Sequence, residues 1–182
     1  MARLRVIAGS AKGKSLITPA GRKITRPTAD KVREAIFGSI QFEIAGSRVL
    51  DLFAGSGALG IEALSRQAEE AVFVDRAKEA IMAIRCNLKS TNLLQRSEVL
   101  LMDYQNALNR LQGCFDFIFI DPPYRAELYQ NALKLIWERN LLAPDGLLIV
   151  EHDQSTNFET ENVLKIKKYG KTFVTYIGGE QR

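Results

Sequence analysis

The chain has 182 residues, of which 46% are hydrophobic and 25% charged, a composition that predicts one globular domain with a sizeable core. It contains no run of about eighteen apolar residues and begins without the apolar stretch of a signal peptide, so we expect neither a spanning helix nor secretion. Cys86 and Cys114 lack metal-ligand spacing and form no disulfide framework, which favours a reducing cytoplasm.

Positive charge is concentrated at the start of the chain. Residues 1–33 hold nine basic side chains and one acidic one, whereas the rest of the chain holds sixteen basic and twenty acidic ones. A net charge of +8 on a body of −4 predicts a polyanionic partner at one end of the molecule. The basic residues alternate with apolar ones, which indicates a folded segment and not a solvated tail.

The predicted elements begin with a hairpin, formed by strands over residues 3–8 and 14–18 and a turn between them. A loop rich in proline and glycine follows at 19–27, and then a helix over 29–42 with Thr28 as its N-cap. Strands and helices then alternate, which predicts a parallel sheet covered on both faces. The strands are 48–52, 71–74, 99–102, 115–120 and 146–150, the helices are 58–66, 77–87, 105–111 and 128–139, and a hairpin over 163–169 and 172–177 closes one edge.

A glycine-rich segment joins the first strand of the sheet to the helix that follows it. Gly55, Gly57 and Gly60 satisfy the pattern GxGxxG, which lets the backbone turn tightly and approach a ligand closely. Asp75 ends the next strand about twenty residues later, the spacing at which a carboxylate reaches ribose hydroxyls. The candidate cofactor residues in this region are Asp51, Phe53, Ala54, Gly55, Ser56, Gly57, Gly60 and Asp75.

Two features argue against a dinucleotide as the ligand. Asp51 would place a negative charge near a pyrophosphate, and the turn Asp121-Pro122-Pro123-Tyr124 after the strand 115–120 has no role in hydride transfer. S-adenosylmethionine fits better, because it has a ribose, a sulfonium and an ammonium but no phosphate. Asp103 follows the third strand, where its carboxylate can accept a hydrogen bond from the adenine amine. Four successive strands thus end in aspartates, which indicates one site on one rim.

These motifs resemble those of known enzymes. Residues 51–60 resemble the cofactor loop of class I methyltransferases, and residues 121–124 are similar to the (Asn/Asp)-Pro-Pro-(Tyr/Phe/Trp) motif of enzymes that methylate exocyclic or amide nitrogens. The stretches 4–9, 12–14 and 25–37 resemble the bacterial RsmD family of 16S ribosomal RNA guanine-N2 methyltransferases. The resemblance covers nearly the whole chain and is weakest over 153–182. Asp75 stands where glutamate is usual, and Lys31 where arginine is common.

The resemblance implies a Rossmann-like fold, a mostly parallel seven-stranded sheet with a C-terminal antiparallel hairpin, and S-adenosylmethionine as cofactor. It implies that Asp121 and the Pro122 carbonyl accept hydrogen bonds from guanine N2, while Tyr124 stacks on the base. Arg26 and Thr28 border the methionine end of the cofactor, although Arg26 could equally meet RNA phosphate. The implied partner is 16S rRNA in the small subunit, bound by a monomer without membrane or metal. We expect residues 1–24 to form an RNA-binding extension of a methyltransferase domain over 25–182, with Arg3, Arg5, Lys12, Lys14, Arg22, Lys23 and Arg33 as RNA contacts.

Other interpretations of the sequence stay open at this point. A DNA amino-methyltransferase and a protein-glutamine methyltransferase use the same kind of turn, and a non-catalytic RNA-binding module would keep the basic segment. Asp121 is either a proton acceptor or only a hydrogen-bond acceptor. We assign His152, the single histidine, a structural role. The lysines at 165, 167, 168 and 171 either extend the RNA surface or guard an exposed sheet edge.

Overall fold

A computed structural model describes residues 4–19, 27–122, 126–153 and 162–180 of the chain. The described residues form helices and strands that alternate along most of the sequence, as the pattern predicts. In chain order they are α1 Pro27–Ser39, β1 Arg48–Asp51, α2 Ala58–Ser65, β2 Glu70–Asp75, α3 Lys78–Thr91, a 3-10 turn Leu94–Arg96, β3 Ser97–Leu101, α4 Tyr104–Arg110, β4 Phe115–Ile120, α5 Ala126–Glu138, β5 Leu142–His152, β6 Val163–Tyr169 and β7 Thr172–Gly178. Among these residues we find no helix with the length and apolar character needed to cross a membrane.

The seven strands form one sheet in the order β3-β2-β1-β4-β5-β7-β6. The first five strands in this order pair in parallel, whereas β7 pairs antiparallel with both β5 and β6. This confirms the predicted mostly parallel sheet with its C-terminal hairpin. The strand order reverses between β1 and β4, and ligands of open α/β sheets bind at the carboxyl ends of the strands where such a reversal occurs.

Both faces of the sheet carry a hydrophobic layer. On one face, α1, α2 and α3 pack against alternate residues of the strands, including Phe73 and Phe119. On the other face, α4 and α5 pack against the intervening residues, including Ile118 and Val150. The strands of the parallel part are nearly continuous apolar runs because they are buried from both sides.

The N-terminal hairpin, residues 4–18, packs into the first of these layers. Its apolar side chains Leu4, Val6, Ala11 and Leu16 are all buried there. Its two arms pair through an isolated bridge between Arg5 and Ser15, so the long strands predicted for 3–8 and 14–18 are wrong in extent. Residue 3 lies outside the described residues. Backbone hydrogen bonds, such as 2.8 Å from Leu16 N to Leu4 O, still hold the arms together.

Helix α2 holds the hairpin through a buried carboxylate. Glu62 has no exposed surface, and its two oxygens accept hydrogen bonds from Ile7 N at 2.7 Å and Ala8 N at 3.0 Å. Arg66 Nε lies 2.8 Å from the same carboxylate and balances its charge. At Gly9 the backbone approaches so closely that a Cβ atom would lie 1.8 Å from Ser65 O. The hairpin therefore covers α2 as part of the core.

Several predicted boundaries differ from the observed ones. Helix α1 begins at Pro27, so Thr28 lies inside the helix and not at the predicted N-cap; proline is favoured at the first helical position. Strand β5 begins at Leu142, four residues before the predicted start. The prediction started the strand later because Pro144 and Gly146 are residues that favour turns. The pairing of β5 with β4 changes register between Phe115 and Phe117, and this shift accommodates Pro144 and Gly146 within the strand.

Candidate active site

The glycine loop, residues 52–57, connects β1 to α2 at the carboxyl rim of the sheet. Gly55 and Gly57 have φ angles of 56° and 77°, in the left-handed region that favours glycine. A Cβ atom at Gly60 would lie 2.3 Å from the Phe73 ring, so this glycine lets α2 pack directly on β2. The three glycines of the predicted motif thus form a tight turn and a close contact between helix and strand.

Asp75, at the end of β2, braces the glycine loop. One carboxylate oxygen accepts a hydrogen bond from Gly55 N at 2.9 Å, and the other accepts from Ala77 N at 2.9 Å. The Ala54 N–H donates to the Val74 carbonyl at 2.9 Å, which ties the loop to the same strand. Each carboxylate oxygen has a second lone pair, so Asp75 keeps acceptor capacity for a ligand hydroxyl.

Asp51, at the end of β1, is a buried carboxyl group with little hydrogen bonding to offset the loss of hydration. It is only 3% exposed, and Gly60 N donates to it at 3.1 Å. Burial raises the pKa of Asp51 to about 7, and the negative charges of Asp121 and Asp75 add to the rise. A cationic group bound near this carboxylate would offset both effects.

The rim holds a longer row of acidic residues than the sequence predicted. Asp51 pairs in register with Phe119, and Phe119 pairs with Ile149, so Asp121 and Glu151 lie two residues further along on the same face. Neighbouring strands lie about 4.8 Å apart, which gives a row about 20 Å long. Its members, in sheet order, are Asp103 after β3, Asp75, Asp51, Asp121 after β4, and Glu151 in β5.

Glu151 is the member that the sequence analysis missed. Burial raises its pKa to about 8, and the neighbouring Asp121 carboxylate adds to the rise. The Tyr129 hydroxyl donates to the Glu151 backbone oxygen at 3.1 Å, which fixes the end of β5 against α5. The available signal was an acidic residue at the end of a predicted strand. The strand order was needed to show that this strand lies next to β4.

Of the predicted catalytic turn, Asp121 is exposed and Pro122 is buried. Pro123 and Tyr124 lie outside the described residues. Because Asp121 directly follows the buried strand β4, its backbone lies at the rim between the glycine loop and Glu151. The described part of the turn thus lies at the reversal of strand order, where a ligand of this fold is expected.

Asp103 has a structural partner as well as a place on the rim. It caps α4, because its carboxylate accepts hydrogen bonds from the Asn106 backbone N–H at 2.9 Å and from the Asn106 side chain. The backbone hydrogen bond from Asn106 lowers the pKa of Asp103. Next to it, the Tyr104 ring packs against Phe53 of the glycine loop with 5.4 Å between ring centroids. Tyr104 is a second residue that the sequence analysis missed, and this tilted ring pair forms an apolar wall beside Asp103.

The predicted RNA contacts fall into three groups. Arg5, Lys12 and Lys14 are exposed on the N-terminal hairpin. Arg33 is a correction: it is only 5% exposed, and its guanidinium donates to the Arg5 carbonyl and pairs with Asp30 at 3.2 Å, so it holds the hairpin from inside. Three predicted RNA contacts lie outside the described residues, namely Arg3, Arg22 and Lys23. The same holds for the cofactor candidate Arg26 and the side chain of Thr28.

His152 has partners for both ring nitrogens. Nε2 lies 2.7 Å from Thr175 Oγ1, and Nδ1 lies 2.7 Å from the Asp153 carbonyl. The ring stacks on Phe173 at 5.7 Å between centroids and is buried between β5 and β7. Burial lowers the pKa of His152, which favours the neutral ring. These contacts agree with a structural role at the edge of the site.

The row of carboxylates fits a ligand that carries positive charge and a ribose. Asp51 and Glu151 are acidic groups whose pKa values are raised because burial and like charges disfavour their ionised forms. A dinucleotide pyrophosphate would worsen this repulsion, whereas a sulfonium or ammonium would relieve it. The fold and this site define a class I methyltransferase.

Comparison with known proteins identifies the family. Residues 4–178 match the family described as Conserved hypothetical protein 95. Ribosomal RNA small subunit methyltransferase D of Haemophilus influenzae is 34% identical over 182 residues, covering 95% of this chain and 91% of the relative. YlbH of Bacillus subtilis strain 168, described as a candidate rRNA methyltransferase, is 47% identical over 154 residues, covering 83% of each chain. The chain belongs to this family, the RsmD family.

Solved structures agree with this assignment. The candidate methyltransferase yhhF of Escherichia coli superposes with a TM-score of 0.88 at 28% identity, and the match covers 100% of both chains. The Thermus thermophilus 16S rRNA methyltransferase RsmC superposes with a TM-score of 0.72 at 21% identity, covering 88% of this chain and 45% of RsmC. At that identity, the second likeness supports the fold alone.

Proposed function

We propose that the protein transfers a methyl group from S-adenosylmethionine to the exocyclic N2 of a guanine in 16S rRNA of the small ribosomal subunit. The observation that carries the proposal is the position of Asp121 and Pro122 at the end of β4, next to the glycine loop at the reversal of strand order. Membership of the RsmD family supports an RNA substrate. This activity belongs in the cytoplasm, where small subunits are assembled.

The Asp121 carboxylate and the Pro122 carbonyl accept hydrogen bonds from the two N2 hydrogens of the guanine. Guanine N2 is a poor nucleophile because its lone pair is delocalised into the ring. Two acceptors draw electron density toward the nitrogen and orient its lone pair toward the methyl group, an effect of proximity and orientation. Tyr124 stacks on the base, which is worth about 1–3 kcal/mol. The proton lost from N2 passes to Asp121 or to solvent.

The cofactor residues surround the same rim. S-adenosylmethionine supplies an already activated methyl group, so the protein's task is to position it. The glycine loop with Phe53, Ala54 and Ser56 contacts the nucleoside, and Asp75 accepts from the ribose through its remaining lone pairs. Asp51 balances the positive charge of the cofactor. Asp103 accepts from the adenine amine beside the Phe53–Tyr104 wall, and Arg26 and Thr28 bind the methionine carboxylate.

The basic N-terminal segment, residues 1–24, contacts the RNA backbone. Arg5, Lys12 and Lys14 are exposed on the N-terminal hairpin. Arg3, Arg22 and Lys23 extend the same positive segment in sequence. Phosphate contacts of this kind fix the orientation of the RNA, while the turn at Asp121 selects the atom that is methylated. The protein acts as a monomer on the assembled or partly assembled subunit.

The test is a labelling experiment. Small subunits from cells that lack the activity are incubated with methyl-labelled S-adenosylmethionine and the protein, and the labelled nucleotide is mapped in the 16S rRNA. We expect one labelled guanine with N2-methylguanine as the product, and no label with the Asp121→Ala variant. A protein that labels no RNA, or that labels a base other than guanine, contradicts the proposal.

A further inference from the structure

Asn87, in the second half of α3, is a buried amide that contacts both the N-terminal hairpin and the glycine loop. It is only 1% exposed. Its Oδ1 accepts a hydrogen bond from Ile17 N at 2.8 Å, and its Nδ2 donates to Ile17 O at 2.8 Å and to Ser56 O at 2.9 Å. Ile17 belongs to the N-terminal hairpin, and Ser56 lies between the two left-handed glycines of the glycine loop. One side chain therefore joins the hairpin directly to the loop.

Besides the Arg33 contact from α1, the hairpin is attached to α2. Glu62 and Ser65 hold residues 7, 8, 10 and 11 of the hairpin, and both lie in α2, the helix that begins directly after the glycine loop. Helix α2 spans eight residues, of which those from Gly60 to Ser65 are buried, and it follows the glycine loop directly. The hairpin is thus attached to the helix that follows the loop, and Asn87 connects it to the loop itself.

We propose that Asn87 is a positioning residue that couples the cofactor site to the RNA-binding hairpin, so that each ligand tightens the binding of the other. The inference rests on the proposed function of the hairpin and the loop. A bound cofactor fixes the backbone of the glycine loop, including the Ser56 carbonyl. That carbonyl orients the Asn87 amide, which in turn fixes Ile17 in the conformation that binds RNA. The cost of ordering these segments is met once, by whichever ligand binds first.

The test is a thermodynamic cycle with small subunits that lack the modification and with S-adenosylhomocysteine as the non-reactive cofactor. The dissociation constant for the subunits is measured with and without saturating S-adenosylhomocysteine. For the wild-type protein we expect the cofactor to tighten subunit binding by about 5-fold or more, the lower range of measured couplings. In Asn87→Ala the ratio should fall to about 1, although each ligand still binds by itself. Asn87→Asp keeps the acceptor for Ile17 N but loses both donated bonds, and should lose most of the coupling.

Thr91→Val is the matched control. Thr91 is buried one turn further along α3, and its hydroxyl donates to the Asn87 and Leu88 carbonyls of its own helix. This variant removes a buried polar group from the same helix without touching the hairpin or the loop, so it should keep the wild-type coupling. If Asn87→Ala does not fold, Asn87→Ser, which is uncharged and too short to reach both partners, carries the comparison.

Three outcomes overturn the inference. The first is a wild-type protein that methylates subunits but binds them equally well with and without S-adenosylhomocysteine. The second is a pair of Asn87 variants that keep the wild-type ratio, and the third is a Thr91→Val control that loses it equally. A wild-type protein that neither binds nor methylates the subunits refutes the proposed function itself, and the inference with it. The coupling role is supported if Thr91→Val keeps the wild-type ratio of dissociation constants while the Asn87 variants lose it.

Discussion

Replacement of Asp51 by asparagine should stabilise the protein and weaken its cofactor binding at the same time. Burial raises the pKa of Asp51 from 3.8 to about 7 in the folded protein. Below the unfolded-state pKa the carboxyl group is neutral in both states. Between that pKa and about 7 only the unfolded chain ionises, so stability falls as the pH rises over this range and levels off above it. Three pKa units correspond to about 4 kcal/mol, reached near pH 8, against about 1.5 kcal/mol at pH 5.

Asparagine removes this cost, because it cannot ionise and its carbonyl can still accept from Gly60 N. We therefore expect Asp51→Asn to be more stable than the wild type in urea denaturation without cofactor, with a gap that grows by about 2.5 kcal/mol between pH 5 and pH 8. The affinity for S-adenosylmethionine, measured by calorimetry, should fall because the carboxylate that balances its positive charge is gone. An equal gap at both pH values, or a less stable variant at pH 8, would refute the reasoning.

Asp75→Asn is the control with the opposite sign. Both oxygens of Asp75 accept backbone N–H groups, from Gly55 and Ala77. An asparagine would oppose one of these donors with its own NH₂ group, so the variant should lose about 1–3 kcal/mol of stability at both pH values. The two variants thus distinguish Asp51, whose ionisation destabilises the fold, from Asp75, whose carboxylate stabilises it through backbone hydrogen bonds.

Three further predictions concern the reaction and the RNA. Asp121→Ala should lose at least about 100-fold in methylation rate, whereas Asp121→Asn should stay within about 10-fold if hydrogen bonding and not proton transfer is its main role; a larger loss in the asparagine variant identifies Asp121 as the base. Glu151→Gln should bind S-adenosylmethionine more weakly than the wild type by a factor that grows as the pH rises through about 8, where Glu151 ionises; a factor independent of pH contradicts its place in the site. Lys12→Gln with Lys14→Gln should lower the salt slope of RNA binding by about 1.4–1.8, while Lys134→Gln on α5, across the sheet, leaves it unchanged.

The architecture was predictable because its signals are local. Strand β4 was predicted at its observed bounds, since Phe115–Ile120 is an apolar run between a glycine-containing loop and a proline turn. The start of β5 was missed because Pro144 and Gly146 carry turn signals that the irregular pairing with β4 overrides. Helix α3 continues four residues past its predicted end, to Thr91, and stops at Asn92 with φ of 60°.

The rim of the site was also predictable, since aspartates that end successive parallel strands must meet at one edge. The residues that join parts of the chain were not. Glu62 and Asn87 contact partners 54 to 70 residues away in the sequence, and neither stands in a motif. A glutamate within the otherwise apolar helix α2 hints at a buried partner, but the pattern does not say which segment supplies it. Arg33 was misread for the same reason: a basic residue in a basic segment gives no sign that it faces inward.

The way the N-terminal hairpin is held has a consequence for synthesis of the chain. Residues 4–18 leave the ribosome before Glu62, Ser65 and Asn87, which hold them and follow 54 to 70 residues later. The hairpin must therefore wait, solvated and unpaired with its partners, until β1 through α3 have emerged and folded. A shortened protein that begins after residue 18 would leave Glu62 without its two backbone donors and would remove the buried side chains Leu4, Val6, Ala11 and Leu16, so the core surface that they cover would be exposed to water. The strongly basic N-terminal segment is thus made before the elements that hold it in place.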